Sequence, residues 1–256
     1  GCDFIHKNHA EDNWLLQVET FDPHEPFYTT EEYLSLYDDE WQGPHYDWPR
    51  GKVSESEEAI AHIRCRYRAL VSMCDRNLGR ILDLMDEHDL WRDTMLIVGT
   101  DHGFLLGEHG WWAKNQMPYY NEVANNPLFI WDPRSAVCGA RRQSLVQMID
   151  WAPTLLDYFQ QPIPADMQGQ PLAKVIASDE PVREGALFGV FSGHVNVTDG
   201  RYVYMRAAQP GREHDIANYT LMPIKMNARY EVDELGKLSL APPFKFTKGL
   251  QVLRIP

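Results

Sequence analysis

The 256-residue sequence predicts an α/β fold with a small antiparallel β subdomain at its C-terminal end. Continuous apolar runs of strand length, Met95-Leu-Ile-Val-Gly99 and Pro127-Leu-Phe-Ile-Trp131, have the texture of strands buried on both faces of a mostly parallel sheet. A helical pattern precedes the first run and another follows the second, the alternation of an α/β fold. After about Arg183 the pattern shifts to short β-rich runs, Ala186 to Phe191, His194 to Thr198 and Tyr202 to Arg206. Asp199-Gly200 joins the last two and is a hairpin signal.

Trp14-Leu-Leu-Gln-Val-Glu-Thr20 is a further strand-length run, and the prolines of Phe21-Asp-Pro-His-Glu-Pro-Phe27 forbid its continuation. A polar loop is therefore expected at a strand's C-terminal end. Thr29 to Lys52 is rich in Tyr, Trp, Asp and Pro without a steady period, the composition of a surface excursion that shapes a cleft. Ser54-Glu-Ser-Glu57 reads as a capping box. Behind it Ile60, Ile63, Tyr67, Leu70, Cys74, Leu78, Ile81 and Met85 recur at three- and four-residue steps, predicting a long amphipathic helix. Its other face, with Arg66, Arg68, Asp75, Arg76, Arg80 and Asp83, reads as solvated. Asp150-Trp-Ala-Pro153 opens a helix running through Phe159, with proline in its first turn. On this reading residues 1–185 form the α/β part and residues 186–256 the β-rich subdomain.

A net charge of −13 argues against nucleic-acid binding, which needs a dense basic surface to displace phosphate counterions. Any anionic substrate must be held by local cations or a metal. No stretch approaches the roughly 18 consecutive apolar residues of a membrane span. Cys2, Cys65, Cys74 and Cys138 form no C-x-x-C pair, so reduced, mostly buried thiols are expected. The opening residues carry no signal pattern and a strand-like run begins almost at once. A longer parent chain is the expectation, and compartment and oligomeric state are not readable.

Gly99-Thr-Asp-His-Gly-Phe-Leu-Leu-Gly-Glu-His-Gly-Trp-Trp-Ala-Lys114 is the most informative segment. Asp101 and His102 fall where an apolar strand ends, and ligands bind at the carboxyl edge of open α/β sheets. A carboxylate and a neutral imidazole are ordinary ligands for a divalent cation, although the triplet Asp101-His102-Gly103 by itself also suits a simple turn.

The run Asp101-His102-Gly103, Leu106-Gly-Glu-His-Gly110 and then Lys114 resembles the C-terminal signature of sulfatases, within the alkaline phosphatase superfamily. Three further segments occur in that family's order: Phe21-Asp-Pro-His-Glu-Pro-Phe27, the helix holding Tyr67-Arg-Ala-Leu-Val-Ser-Met-Cys-Asp75, and Ile149-Asp-Trp-Ala-Pro-Thr-Leu-Leu156. The resemblance implies an alkaline-phosphatase-like sheet flanked by helices and a small anionic sulfate ester as substrate. It implies a divalent metal, calcium with manganese or magnesium as alternatives, bound by Asp101 and His102 together with acids from an N-terminal half outside this chain. It gives His24 and Lys114 catalytic and sulfate-binding roles. An imidazole can serve as general acid, and an ammonium stabilises charge on a transferring group. Glu108 and His109 are expected to orient the loop from behind these groups. Asp-His, with Lys114 twelve residues on, is closest in pattern to the bacterial choline-sulfatase and phosphonate-monoester-hydrolase branch.

The resemblance fails at the nucleophile. Family members attack with a formylglycine made from Cys or Ser in a C/S-x-P/A-x-R motif, which is expected upstream of this chain. Cys138-Gly-Ala-Arg-Arg142 fits that pattern formally but lies in a connector after the metal strand, and reads as coincidence. The chain alone is therefore expected to be inactive. Two rivals stand beside sulfate-ester hydrolysis: phosphonate monoester or phosphodiester hydrolysis on the same fold, and a non-catalytic sulfatase-like binding protein. His6, His9, His45, His62, His88, His194 and His214 show no pairing in the sequence that lifts them above ordinary surface or core residues.

Overall fold

The computed structural model describes residues 1–114, 118–191, 193–207, 209–212, 216–225 and 228–256. His214 lies outside them. Two compact units emerge, Gly1–Arg142 and Gln143–Pro256.

The first unit opens with helix α1 (Cys2–Asn8), followed by a single turn, α2 (Glu31–Leu34), and a two-residue strand, β1 (Gly51–Lys52). The long helix α3 runs from Glu57 to Glu87 as the apolar period predicts. Its N-cap is Ser56, whose hydroxyl accepts from the Ala59 amide at 3.3 Å. The capping register is thus two residues later than Ser54 proposed. Glu55, between the two serines, accepts from the Trp112 indole at 2.7 Å.

Strand β2 (Leu96–Gly99) leads into a tight hairpin of β3 (Leu105–Leu106) and β4 (Trp111–Ala113), and the turn α4 (Asn121–Ala124) leads to β5 (Leu128–Trp131). β2 and β5 pair antiparallel, Leu96 opposite Trp131 through Gly99 opposite Leu128. Every strand pair among the described residues is antiparallel, which corrects the expectation of a mostly parallel sheet. A continuous apolar run is common in buried parallel strands but reports burial first, and does not by itself fix strand direction. Nor is β5 covered on both faces, since Phe129 is 68% exposed. Trp14 to Thr20 forms no ladder among the described residues, with Leu15 and Val18 exposed and Leu16 packed beside α1. A strand exists only where its backbone groups find a neighbour, whatever its side chains prefer.

The core that positions the site is the cluster of Phe27, Ile63, Leu70 and Trp112. Phe27 ends the proline-bounded loop, Ile63 and Leu70 belong to α3, and Trp112 is on β4, so loop and hairpin dock on one helix through a shared apolar contact. Two arginines of α3 reinforce this. Arg66 Nε donates to the Phe27 carbonyl at 3.2 Å, and Arg64 Nε donates to the Leu106 carbonyl at 2.8 Å. Arg66 is therefore a loop anchor, which corrects its assignment to a purely solvated face. His62 is buried and bonded to Asp39 at 2.7 Å. The excursion after Thr29 returns to place Gly51 and Lys52 beside Trp112 and Trp111.

In the second unit, helix α5 (Trp151–Tyr158) starts after Asp150, as Pro153 predicts, and is followed by α6 (Ala173–Ser178). Asp150 is fully buried: Arg183 Nη2 donates to it at 2.5 Å, the Gln147 amide at 2.7 Å and the Gln170 amide at 2.9 Å. Thr154 Oγ1 donates to the Asp150 carbonyl at 2.6 Å and accepts from the Leu172 amide at 3.0 Å, tying the next segment to the helix. Strands β6 (Ala186–Gly189), β7 (Val195–Thr198) and β8 (Val203–Arg206) form the expected antiparallel sheet. At the turn, the Asp199 carboxylate accepts from the amides of Arg201 and Tyr202, and Gly200 takes φ +89°. A second antiparallel sheet was not foreseen: β9 (Asn218–Thr220), the short helix α7 (Val232–Leu235), β10 (Ser239–Ala241) and β11 (Val252–Ile255), with β11 central. Its strands lie in stretches whose prolines and mixed polarity mask the two-residue period. No helix among the described residues is long and apolar enough to cross a membrane.

Candidate active site

Asp101 and His102 follow β2 after a single intervening residue, Thr100. The His102 amide donates to Asp101 Oδ1 at 3.0 Å, and His102 Nε2 lies 3.3 Å from Asp101 Oδ2. His102 Nδ1 lies 2.9 Å from the Gly103 carbonyl, so each ring nitrogen faces an acceptor oxygen, Nδ1 the backbone and Nε2 the Asp101 carboxylate. Asn126 Nδ2 donates to the Asp101 carbonyl at 3.1 Å. The Asp101 carboxylate itself is 73% exposed. Burial, with the Asp101 charge behind it, pushes the Tyr119 phenol above its ordinary pKa. Gly103 is a steric requirement: a Cβ there would fall 1.9 Å from the Glu122 carbonyl oxygen. The chain can therefore turn after His102 only with glycine.

His24 sits between two cis prolyl bonds, Asp22-Pro23 and Glu25-Pro26. Its Nδ1 donates to the Glu25 carbonyl at 2.5 Å and lies 3.5 Å from the Glu25 carboxylate. The rings of Phe21 and Trp48 flank it. Lys114, just beyond β4, places Nζ 3.3 Å from the same Glu25 carboxylate and 5.9 Å from the Phe104 ring centre. Glu25 is 4% exposed and the Lys114 side chain 12%, so this is a buried ion pair. Sequence reasoning missed Glu25. The only signal was a carboxylate at the variable position of a proline-bounded loop, which is ordinarily a solvated residue. No hydrogen bond or ion pair among the described residues joins the Asp101–His102 pair to the His24–Glu25–Lys114 cluster; Phe104, two residues after His102, reaches toward the latter.

Glu108 accepts from the Leu106 amide at 2.5 Å and lies 3.7 Å from Arg64 Nη2, bracing the β3–β4 turn on α3. His109, in the left-handed region at φ 57°, stacks on Tyr120 with ring centres 3.9 Å apart and meets the Glu122 carboxylate at 3.1 Å. The backbone amide and then the His109 contact hold Glu122 below the usual carboxylate range against partial burial. Trp112 is wholly buried, and Trp111, Tyr119 and Tyr120 pack on Leu105 and Val123. All four cysteines are free. Three are half-buried and Cys138 is exposed, so the thiols are less buried than expected. Burial pushes the Cys65 and Cys74 thiols up, away from the thiolate.

The fold is similar to that of a solved phosphonate monoester hydrolase from Silicibacter pomeroyi, which superposes with a TM-score of 0.67, covering 80% of this chain and 50% of that one at 20% identity. The particular family follows from the sequence. The sulfatase family model matches residues 2–161, and a second model, N-sulphoglucosamine sulphohydrolase, C-terminal, matches residues 107–235. The chain belongs to the sulfatase family. An N-acetylglucosamine-6-O-sulfatase of Bacteroides thetaiotaomicron is 34% identical over 130 residues, 51% of this chain and 23% of that protein. A choline-sulfatase of Rhizobium meliloti is 25% identical over 222 residues, 76% of this chain and 42% of that protein. The chain thus spans less than half the length of these curated relatives.

Proposed function

We propose that this chain is the C-terminal portion of a sulfatase that hydrolyses sulfate esters with the help of a divalent metal. The observation that carries the proposal is the Asp101–His102 pair in a chain of this family. Two donors of different chemistry lie side by side, with His102 Nδ1 turned to the Gly103 carbonyl and Nε2 on the same side as the Asp101 carboxylate, where a cation would replace the proton between them. The donor set fits a metal: an exposed carboxylate oxygen suits calcium, manganese or magnesium, and the imidazole nitrogen is most at home with manganese among these. Calcium is the first choice because further acidic ligands supplied from upstream would make its shell mostly oxygen, with the imidazole the exception. The bound cation would polarise a substrate oxygen.

The chain's own residues do the rest. Lys114 offers a positive charge in a largely dry setting, where it stabilises a sulfate oxygen more than it would in water. Glu25 holds that ammonium in place and fixes the His24 side of the loop. With Nδ1 committed to the Glu25 carbonyl, His24 presents Nε2 as the nitrogen able to deliver a proton to a leaving group. The nucleophile, a formylglycine, would come from the preceding part of the protein, so residues 1–185 would supply only part of the catalytic domain and this chain alone would not turn over. Exposed Phe129 would be covered there too.

The likeness to a phosphonate monoester hydrolase fold supports a second reading, hydrolysis of phosphonate monoesters or phosphodiesters on the same site. Paired kinetics on the full-length enzyme, with an aryl sulfate against a phenyl phosphonate ester, separate the two. A higher kcat/KM for the sulfate supports the first reading, and a preference for the phosphonate replaces it with the second. Loss of neither activity on chelation would remove the metal from both.

A further inference from the structure

Outside the active site, side chains with no part in that chemistry meet where α1 crosses the C-terminal end of α3. Ile5 of α1 packs against Leu84, Met85 and Leu90, which holds the two helices together. Above this contact His6 Nδ1 and His88 Nε2 stand 3.3 Å apart across 82 residues of sequence. Glu87 adds a carboxylate, so that one ligand atom from each of His6, Glu87 and His88 lies within 4.8 Å of the others. The His9 ring stacks on His88, centres 3.9 Å apart and planes 4° from parallel, which limits how His88 can turn.

We propose that His6, Glu87 and His88 form a site for one borderline divalent cation of the Zn2+ type, distinct from the Asp101–His102 site. Tetrahedral zinc with Zn–N bonds of about 2.0–2.1 Å sets two nitrogens about 3.3 Å apart, the spacing found here. Two imidazoles and one carboxylate leave the fourth position to water and select zinc, nickel or copper over calcium and magnesium, which prefer all-oxygen shells. The helix packing supports the ligands from below, so binding needs adjustment of side chains alone. A cation bound here would clamp α1 to the end of α3.

The rival is a simple imidazole–imidazole hydrogen bond, which the same spacing allows. The deciding experiment is a Zn2+ titration by calorimetry of the full-length protein. It is first stripped with chelator and then kept in excess Ca2+ to occupy any hard-cation site. Wild type should take up one Zn2+ that His6→Ala and His88→Ala each weaken at least about tenfold. Zn2+ should also raise Tm in wild type and leave Tm of the His6→Ala/His88→Ala double variant unchanged. His6 is exposed and His88 half-buried, and circular dichroism without zinc verifies that the variants fold. Equal Zn2+ uptake by wild type and double variant, or no uptake by wild type, overturns the proposal. Neither result bears on the sulfatase reading, whose test is ester kinetics.

Discussion

The ammonium of Lys114 lies 3.3 Å from a Glu25 carboxylate that is almost wholly removed from solvent. Removing one partner of such a pair strands the other in a low-dielectric setting. Lys114→Ala should therefore cost about 3–5 kcal/mol of stability in urea unfolding. Glu25→Gln keeps the shape and removes the charge that holds Lys114. It should lower kcat/KM of the full-length enzyme on an aryl sulfate about 10²-fold, as small misplacements of a positioned group do. The double variant Glu25→Gln/Lys114→Ala should recover much of the stability and none of the activity. Full turnover by Glu25→Gln would reduce the carboxylate to packing.

His102→Ala and Asp101→Asn remove proposed metal ligands from a segment that otherwise folds through its backbone contacts. A loss of several kcal/mol of transition-state stabilisation corresponds to about three orders of magnitude in kcat. For His102→Ala, excess metal should restore part of it. Activity within a factor of a few of wild type would place the metal elsewhere.

Stability at acid pH should report on Asp150. Burial pushes this carboxyl up, but the Arg183 hydrogen bond and the Gln170 and Gln147 amides outweigh it and hold the group below its ordinary value. A carboxyl depressed in the folded state contributes stability above its unfolded pKa, about 3.9, and loses it as pH falls through the lower folded value. Melting should thus fall on acidification below about pH 4. Arg183→Met should cost about 3–5 kcal/mol at neutral pH by stranding the buried carboxylate. It should also reverse the trend, gaining stability as acid neutralises Asp150.

Cys138→Ala should leave turnover of the full-length enzyme unchanged, although the thiol is free and exposed. A loss of orders of magnitude would make Cys138 the nucleophile, against its place in an irregular connector between β5 and α5.

What the sequence determined by itself was local. The period of α3, the Asp199-Gly200 hairpin, the start of α5 and the motif from Asp101 to Lys114 all rest on residues within a few turns of one another, where propensity, spacing and turn chemistry act. Tertiary structure decided what depends on partners far along the chain. The β2–β5 ladder runs antiparallel because β5 arrives from the opposite end, and apolar composition does not encode arrival direction. Trp14 to Thr20 has strand chemistry and no ladder. Glu25 meets Lys114 across 89 residues and His6 meets His88 across 82. In both cases helix and loop packing on α3 supplies the proximity, and a charged or imidazole side chain reads as solvated until its neighbour is known.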